Sequence, residues 1–241
     1  MSPLVLITRP LEQAKNFAAE IKSIGAVPII QPVLIIESYP VDLSLISKPD
    51  AIVLTSAQGI DGKIFPNDWC DVPVFCVGHK TESFVRQSGA TLCYSTDTDS
   101  DALLTLIREK LPAGKRIVYL RGEHITLDLE KALAKYQVEN VVTYCAREVA
   151  DFDADVIDIF PQIAVVTLFS RRSAEILVNL LKKNNLVSVA RTIKLLCLSS
   201  AVLESVQDID WESCHVADRP DQAAMVEKLK DLIRDLKRVL E

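Results

Sequence analysis

Short apolar runs separated by segments of helical periodicity recur along this chain, and the series restarts near its middle. Residues 4–7 form an apolar run of strand length. Leu11, Ala14, Phe17, Ala18 and Ile21 then repeat at helical spacing, and Gly25 follows as a stop. A second strand is expected over 27–30, where Pro28 and Pro32 suit an edge or a linker. Further strands are expected over 51–54, 74–77 and 91–94, with a helix through Val85 that the Gly89 stop closes. Residues 102–111 read as a helix capped from the acidic stretch 97–101. Strands alternating with helices at this spacing predict βαβ units and a parallel sheet, an α/β fold.

From Lys115 the pattern begins again: a strand over 116–120, a helix over 127–136, and strands over 141–144 and 164–168. A helix over 173–181, strands over 194–198 and 215–217, and a closing helix over 222–240 complete it. Phe75-Cys76-Val77 is similar to Leu196-Cys197-Leu198, and Leu54-Thr55-Ser56 to Leu168-Phe169-Ser170, each pair about half the chain apart. An α/β unit doubled into two similar parallel-sheet domains accounts for this, and one fused sheet also fits. The 241 residues suffice for either.

With 27 Lys+Arg against 33 Asp+Glu, the net charge of −6 argues against a protein that coats nucleic acid. No stretch approaches the roughly 20 apolar residues of a membrane helix. The first residues lack the basic region and cleavage site of a signal peptide and read directly as a strand. Cys70, Cys76, Cys93, Cys145, Cys197 and Cys214 include no C-x-x-C pair, so free thiols in a reducing, cytoplasmic setting are expected.

In open parallel sheets, ligands bind beyond the carboxyl ends of the strands, where helix N-termini offer free N–H groups. The residues that follow each expected strand are Thr8-Arg9-Pro10, Thr55-Ser56-Ala57, Gly78-His79-Lys80-Thr81, Arg121-Gly122-Glu123-His124, Tyr144, Ser170-Arg171-Arg172-Ser173 and Ser199-Ser200. This set is basic and hydroxylic in an acidic chain, whose acids gather at 97–101 and 151–158, and it suits an anionic ligand. Thr8, Ser56 and Ser170 also suit plain helix caps, Gly78 a tight turn, and the arginines solvated positions.

Dinucleotide, Walker and α/β-hydrolase glycine motifs are missing. The run from Asp151 to Asp155 begins like a calcium loop, but Val156 stands where that loop needs glycine, so a solvated acidic connector is expected. Cys214 and His215 would face opposite sides of a strand, and the three histidines show no ligand spacing. No metal is implied.

Taken in order, these segments resemble the uroporphyrinogen-III synthase family. The family's T-R-P stands as Thr8-Arg9-Pro10, and its strand into T-S-A runs from Asp50 to Thr55-Ser56-Ala57. V-G-x-x-T stands as Val77-Gly78-His79-Lys80-Thr81, L-R-G as Leu120-Arg121-Gly122, and a strand-final tyrosine as Tyr144. The resemblance covers essentially the whole chain. It departs where the family often has T-S-x-S, here Phe169-Ser170-Arg171-Arg172. It departs again where I-G-x-x-T is common, here Leu198-Ser199-Ser200-Ala201-Val202.

The resemblance implies two flavodoxin-like domains joined by a two-stranded linker: 1–34 with 147–241, and 38–143, with linkers near 32–38 and 144–149. It implies a lyase that cyclises hydroxymethylbilane to uroporphyrinogen III with loss of water and inversion of ring D, in a cleft between the domains. No cofactor is implied, because the pyrroles supply the electrons. Tyr144 is the expected proton donor to the leaving oxygen, or else a packing residue at the hinge. Thr8, Arg9, Thr55, Ser56, Ala57, Gly78, His79, Lys80, Thr81, Arg121, Ser170, Arg171, Ser199 and Ser200 would bind the substrate's carboxylates. A monomer is expected, in transient contact with the upstream bilane-forming enzyme, with neither nucleic acid nor membrane as partner. A non-catalytic two-domain binding protein for a small anion is the rival reading. The closing helix also carries an apolar stripe over 226–240 that the core does not obviously absorb.

Overall fold

A computed structural model describes residues 2–60, 62–96, 100–125 and 127–239. The elements in chain order are β1 Leu4–Ile7, α1 Leu11–Ser23, β2 Val27–Ile30, β3 Leu34–Ser38, β4 Ala51–Leu54, β5 Val74–Val77, α2 His79–Gln87, β6 Cys93–Thr96 and α3 Ser100–Lys110. There follow β7 Arg116–Gly122, α4 Leu129–Ala132, β8 Gln137–Glu148, α5 Ala154–Ile159, β9 Ile163–Leu168, α6 Arg171–Lys183, β10 Lys194–Cys197, α7 Ser200–Glu204, β11 Ser213–Val216 and α8 Gln222–Val239. The chain forms two compact units, 1–35 with 147–241, and 36–146.

Among the described residues, unit 1 holds a 5-stranded sheet in the order β11-β10-β9-β1-β2. All its pairings are parallel. The sheet that continues through unit 2 is 6-stranded, β3-β8-β7-β4-β5-β6, and β8 through β6 pair in parallel. In chain order the first sheet follows the flavodoxin-like order 2-1-3-4-5, whereas β4 to β8 of the second read 3-2-1-4-5. The two coincide when counting in the second starts at β7 and returns to β4 after β8. β3 is an addition, and it pairs with β8, so the two segments that carry the chain between units are hydrogen-bonded neighbours. Val149 N–H donates to Val33 O and Tyr39 N–H to Thr143 O, so this ribbon runs antiparallel. Pro28 lies in β2, an edge strand, where its missing N–H costs no ladder bond.

The central strands, β1, β9 and β10 in one sheet and β4, β5 and β7 in the other, are buried on both faces, which is why they read as continuous apolar runs. In unit 1, Val5, Ile7 and Val165 join Phe17 and Ile21 of α1 and Met225, Leu229 and Ile233 of α8 in one core cluster. Leu6 and Val166, which alternate with them, are also fully buried and face the other side. The apolar stripe of the closing helix belongs to this core: Val226 and Leu236 pack against it as well, and Leu240 lies outside the described residues. In unit 2, Ile52, Leu54, Cys76 and Leu120 line one cluster with Trp69 and Val85. Val53, Phe75, Ile117 and Tyr119 line the other with Leu103, Ile107 and Leu129.

Three sequence expectations need correction. The spacing of Leu127, Leu129, Ala132, Leu133 and Tyr136 suggests a helix over 127–136, but only Leu129–Ala132 is helical. Leu129 and Leu133 still bury, and the Tyr136 hydroxyl donates to Leu111 O, which ends the turn against α3. The strand expected over 141–144 is the middle of the longer β8, whose solvent-facing polar residues disguise its first half. The acidic connector contains α5, with Val156 buried. The cap expected for α3 falls on 97–101, of which 97–99 lie outside the described residues.

Asp151 ties that acidic segment to the end of α6. Its carboxylate lies 2.8 Å from Lys183 Nζ and accepts from Asn184 Nδ2 at 2.7 Å and from Phe152 N–H at 2.9 Å. These bonds, Lys183 first, hold its pKa down to about 2. A depressed folded-state pKa adds stability that is present above the unfolded value near about 4 and is lost as pH falls towards the folded one. Asp151→Asn should therefore lower the urea midpoint near neutral pH. That difference from wild type should shrink between about pH 4 and pH 2, as urea titrations across that range would show.

Candidate active site

In a 2-1-3-4-5 sheet the crevice opens where successive connections leave in opposite directions, here between β7 and β4 in unit 2. Thr55-Ser56-Ala57 follows β4 at that point. Ser56 accepts from Gln58 N–H at 3.3 Å and starts a 3-10 turn over Ala57–Gly59. That turn sits directly on β7: a Cβ on Gly59 would lie 2.9 Å from Leu120 O, so a side chain there has no room. Thr55 and Ser56 are thereby held beside the end of β7, both half-buried.

On the other side of β7, the ladder to β8 slips by one residue. Arg121 pairs with Val142, but Gly122 pairs with Tyr144, leaving Thr143 as the extra residue of a bulge. Because alternate residues face opposite sides, the slip decides which face Tyr144 takes. Its ring lies over Gly122, where an added Cβ would come within 2.7 Å of Tyr144 Cζ and 3.0 Å of its hydroxyl. The glycine of L-R-G is the floor on which the tyrosine rests. Glu123 N–H donates to Tyr144 O at 2.9 Å and fixes the backbone past the bulge. Arg121 reaches Asn140 Oδ1 and the carbonyls of Gly122 and Glu123, so its guanidinium braces this corner.

β5 lies next to β4 and is followed by Gly78, whose φ of 81° carries the chain into α2 in a conformation that glycine adopts without strain. The first N–H groups of α2 have no intrahelical acceptor, which makes His79, Lys80 and Thr81 a set of backbone donors. Thr81 is buried, whereas the side chains of His79 and Lys80 are exposed. Thr55, Ser56, Ala57, Gly78, His79, Lys80, Thr81, Arg121 and Tyr144 thus lie along the carboxyl ends of four consecutive strands, β8-β7-β4-β5.

The structure adds Tyr119 to this rim. Its hydroxyl is 3.1 Å from Thr55 Oγ1, and the residue is 1% exposed. Burial pushes the phenol's pKa up, the Tyr144 charge adds to the rise, and Thr55 and Arg121 act against it. Sequence reasoning misses Tyr119 because it stands inside the apolar run of β7. The available signal is position, two residues before Arg121 and on the same face of the strand.

The remaining expected residues line the corresponding rim of unit 1. Thr8 is fully buried and donates to Thr167 O at 3.0 Å, while Thr167 donates to Leu6 O at 2.9 Å. The Thr8 side chain fastens β1 to β9 and presents nothing outward. Arg9 lies 3.9 Å above the centre of the Phe169 ring and donates to Gln222 and Gln13; its buried Nε has no partner among the described residues. Burial lowers its pKa, with Glu20 acting in the opposite sense. Phe169, one of the departures from T-S-x-S, is thus the platform for Arg9 and packs edge-on against Phe17. Ser170 caps α6 by accepting from Ser173 N–H at 3.1 Å. Arg171 turns away to Ala201 O and Glu204. Ser199 precedes the short α7 without a side-chain cap bond, and Ser200 is exposed.

Among the described residues no helix is long and apolar enough to cross a membrane. No curated protein sequence matches the chain significantly. Solved structures do match: uroporphyrinogen-III synthetase from Helicobacter pylori is 12% identical, with a TM-score of 0.63 over 96% of this chain and 100% of that one. A mutant uroporphyrinogen III synthase from the extremely thermophilic bacterium Thermus thermophilus is 18% identical, with a TM-score of 0.57 over 97% of this chain and 100% of the other. At such identities these matches establish the fold. The family described as Uroporphyrinogen-III synthase HemD matches residues 15–227, nearly the whole molecule, and this chain belongs to it.

Proposed function

We propose that this protein is a hydro-lyase that closes hydroxymethylbilane to uroporphyrinogen III, losing water and inverting ring D. The observation that carries this reading is the unit 2 rim of a chain of this family: a tyrosine aimed by a bulge onto a glycine floor, beside hydroxyl and amide donors. Hydroxide is a poor leaving group, so the Tyr144 O–H donates to the departing oxygen, and water leaves. The resulting azafulvenium cation is stabilised by its own pyrrole. The substituted carbon of ring D then attacks it. The spiro intermediate breaks the bond from that carbon to the ring C methylene, and the resulting cation closes onto the other α carbon of ring D. The proton expelled there restores the Tyr144 phenol. The pyrroles supply every electron pair, so the reaction as proposed needs no cofactor.

What the protein must add is conformational control, because simple closure to the uninverted isomer proceeds unaided. Ser56, Ala57 and the first turn of α2 offer N–H and hydroxyl donors to the acetate and propionate carboxylates, and Lys80 an exposed charge. In unit 1, Arg9, the exposed Ser200 and the N–H groups that follow Ser170 and Ser199 do the same. We further propose a cytoplasmic monomer that receives its unstable substrate in transient contact with the bilane-forming enzyme. The shared strand order of the two sheets supports the reading of the chain as a doubled unit.

Freshly generated hydroxymethylbilane supplied to the protein should yield isomer III after oxidation and isomer separation. Isomer I alone, at the spontaneous rate, would overturn the assignment and leave anion binding as the function. Tyr144→Phe should lower turnover about 100-fold with an unchanged melting temperature. Gly122→Ala should displace the Tyr144 ring and lower turnover about 10-fold, yet add little in a Tyr144→Phe background.

A further inference from the structure

Tyr119 has no assigned part in the reaction, and the inference drawn for it rests on the reading of this rim as the synthase site. Its ring belongs to the buried cluster with Val53, Leu103 and Leu129, and its hydroxyl meets Thr55 Oγ1 at 3.1 Å. Geometry alone allows either hydroxyl to donate, and burial decides between them. Tyr119 is 1% exposed, and Thr55 is its hydrogen-bond partner among the described residues. A buried O–H that finds no acceptor is costly, so the Tyr119 proton must go to Thr55. Thr55 is half-buried at a strand end, and among the described residues its hydroxyl has no partner besides Tyr119 to take its own proton. A phenol is also the more acidic hydroxyl and hence the better donor, and burial keeps it protonated.

We propose that Tyr119 is a positioning residue: by donating to Thr55 Oγ1 it commits the Thr55 hydroxyl proton outward, to a carboxylate oxygen of the substrate. A free threonine hydroxyl samples three rotors and can accept or donate. With its lone pair engaged from beneath, the Thr55 hydroxyl becomes a donor of fixed direction, and the bond it accepts strengthens the one it gives. A rim meant to hold anions gains a neutral donor that cannot turn its oxygen towards the ligand.

The test is a double-mutant cycle read as KM and kcat for hydroxymethylbilane. A carboxylate contact is the same in the ground and transition states, so its loss falls on KM. Tyr119→Phe should raise KM about 3- to 10-fold, the size of one hydrogen bond, and change kcat by less than about twofold. Thr55→Val should raise KM at least as much, and the double variant should match Thr55→Val alone. On a Thr55→Ser background, which keeps the hydroxyl, Tyr119→Phe should cost the same factor as it does in the wild type. A merely structural Tyr119 would instead lower the melting temperature and the active fraction, leave KM unmoved and add to Thr55→Val. Either an unmoved KM or additive losses would overturn the proposal. A wild-type protein that makes no isomer III overturns this proposal together with the functional one, whereas an active wild type with indifferent variants overturns this one alone.

Discussion

Hydrogen bonding between parallel strands is the constraint on which the rest depends. Parallel pairing requires every strand of a βα series to end on the same side, so each strand-to-helix turn is delivered to one rim. The order 2-1-3-4-5 then separates the connections at a single gap, β7/β4 in one unit and β1/β9 in the other. Both gaps are bridged by polar side chains placed by the ladders themselves. In unit 1, Thr8 and Thr167 donate buried hydrogen bonds to backbone carbonyls across the gap; in unit 2, Tyr119 meets Thr55. The first bridge is closed upon itself. The second lies at the rim, with Thr55 half-buried, at the equivalent place in the other sheet.

Small departures from regularity decide where the rim side chains point. A one-residue bulge sets the face of Tyr144, and the absence of a Cβ at Gly122 lets its ring approach the backbone there. Gly59 does the same for the turn that follows β4. None of these contacts is strong in itself. Each fixes direction, and direction is what a reaction with a competing unaided outcome requires.

Much of this is legible in the residues. Apolar runs mark the strands, since burial on both faces removes the alternation that would otherwise confuse them with surface elements. The residues directly after those runs mark the rim, because strand polarity is fixed by the βα alternation. Illegible are the features that depend on pairing rather than on pattern. The bulge at Thr143 has no periodic signature, and Tyr119 looks like any other member of the β7 core. Residues 127–136 carry a helical spacing, but one turn suffices to bury Leu129 and Leu133, and the chain then enters β8. Thr8 has the composition of a ligand contact, and only its neighbour Thr167 reveals that its hydroxyl is already engaged.

The discontinuity of unit 1 bears on how the molecule is made. Its strand β1 lies between β2, which follows closely, and β9, which begins at Ile163. A nascent chain therefore carries β1, α1 and β2 as an unclosed fragment while all of 36–146 emerges and can fold as a contiguous unit. Throughout that interval Val5, Leu6 and Ile7 lack the strand and helices that later bury them. The order of synthesis thus makes the interior piece the first to mature, and the two segments of unit 1 meet last. Because that final closure joins residues 159 apart in the sequence, it is the step with the greatest chain-entropy cost and the longest exposure of apolar surface.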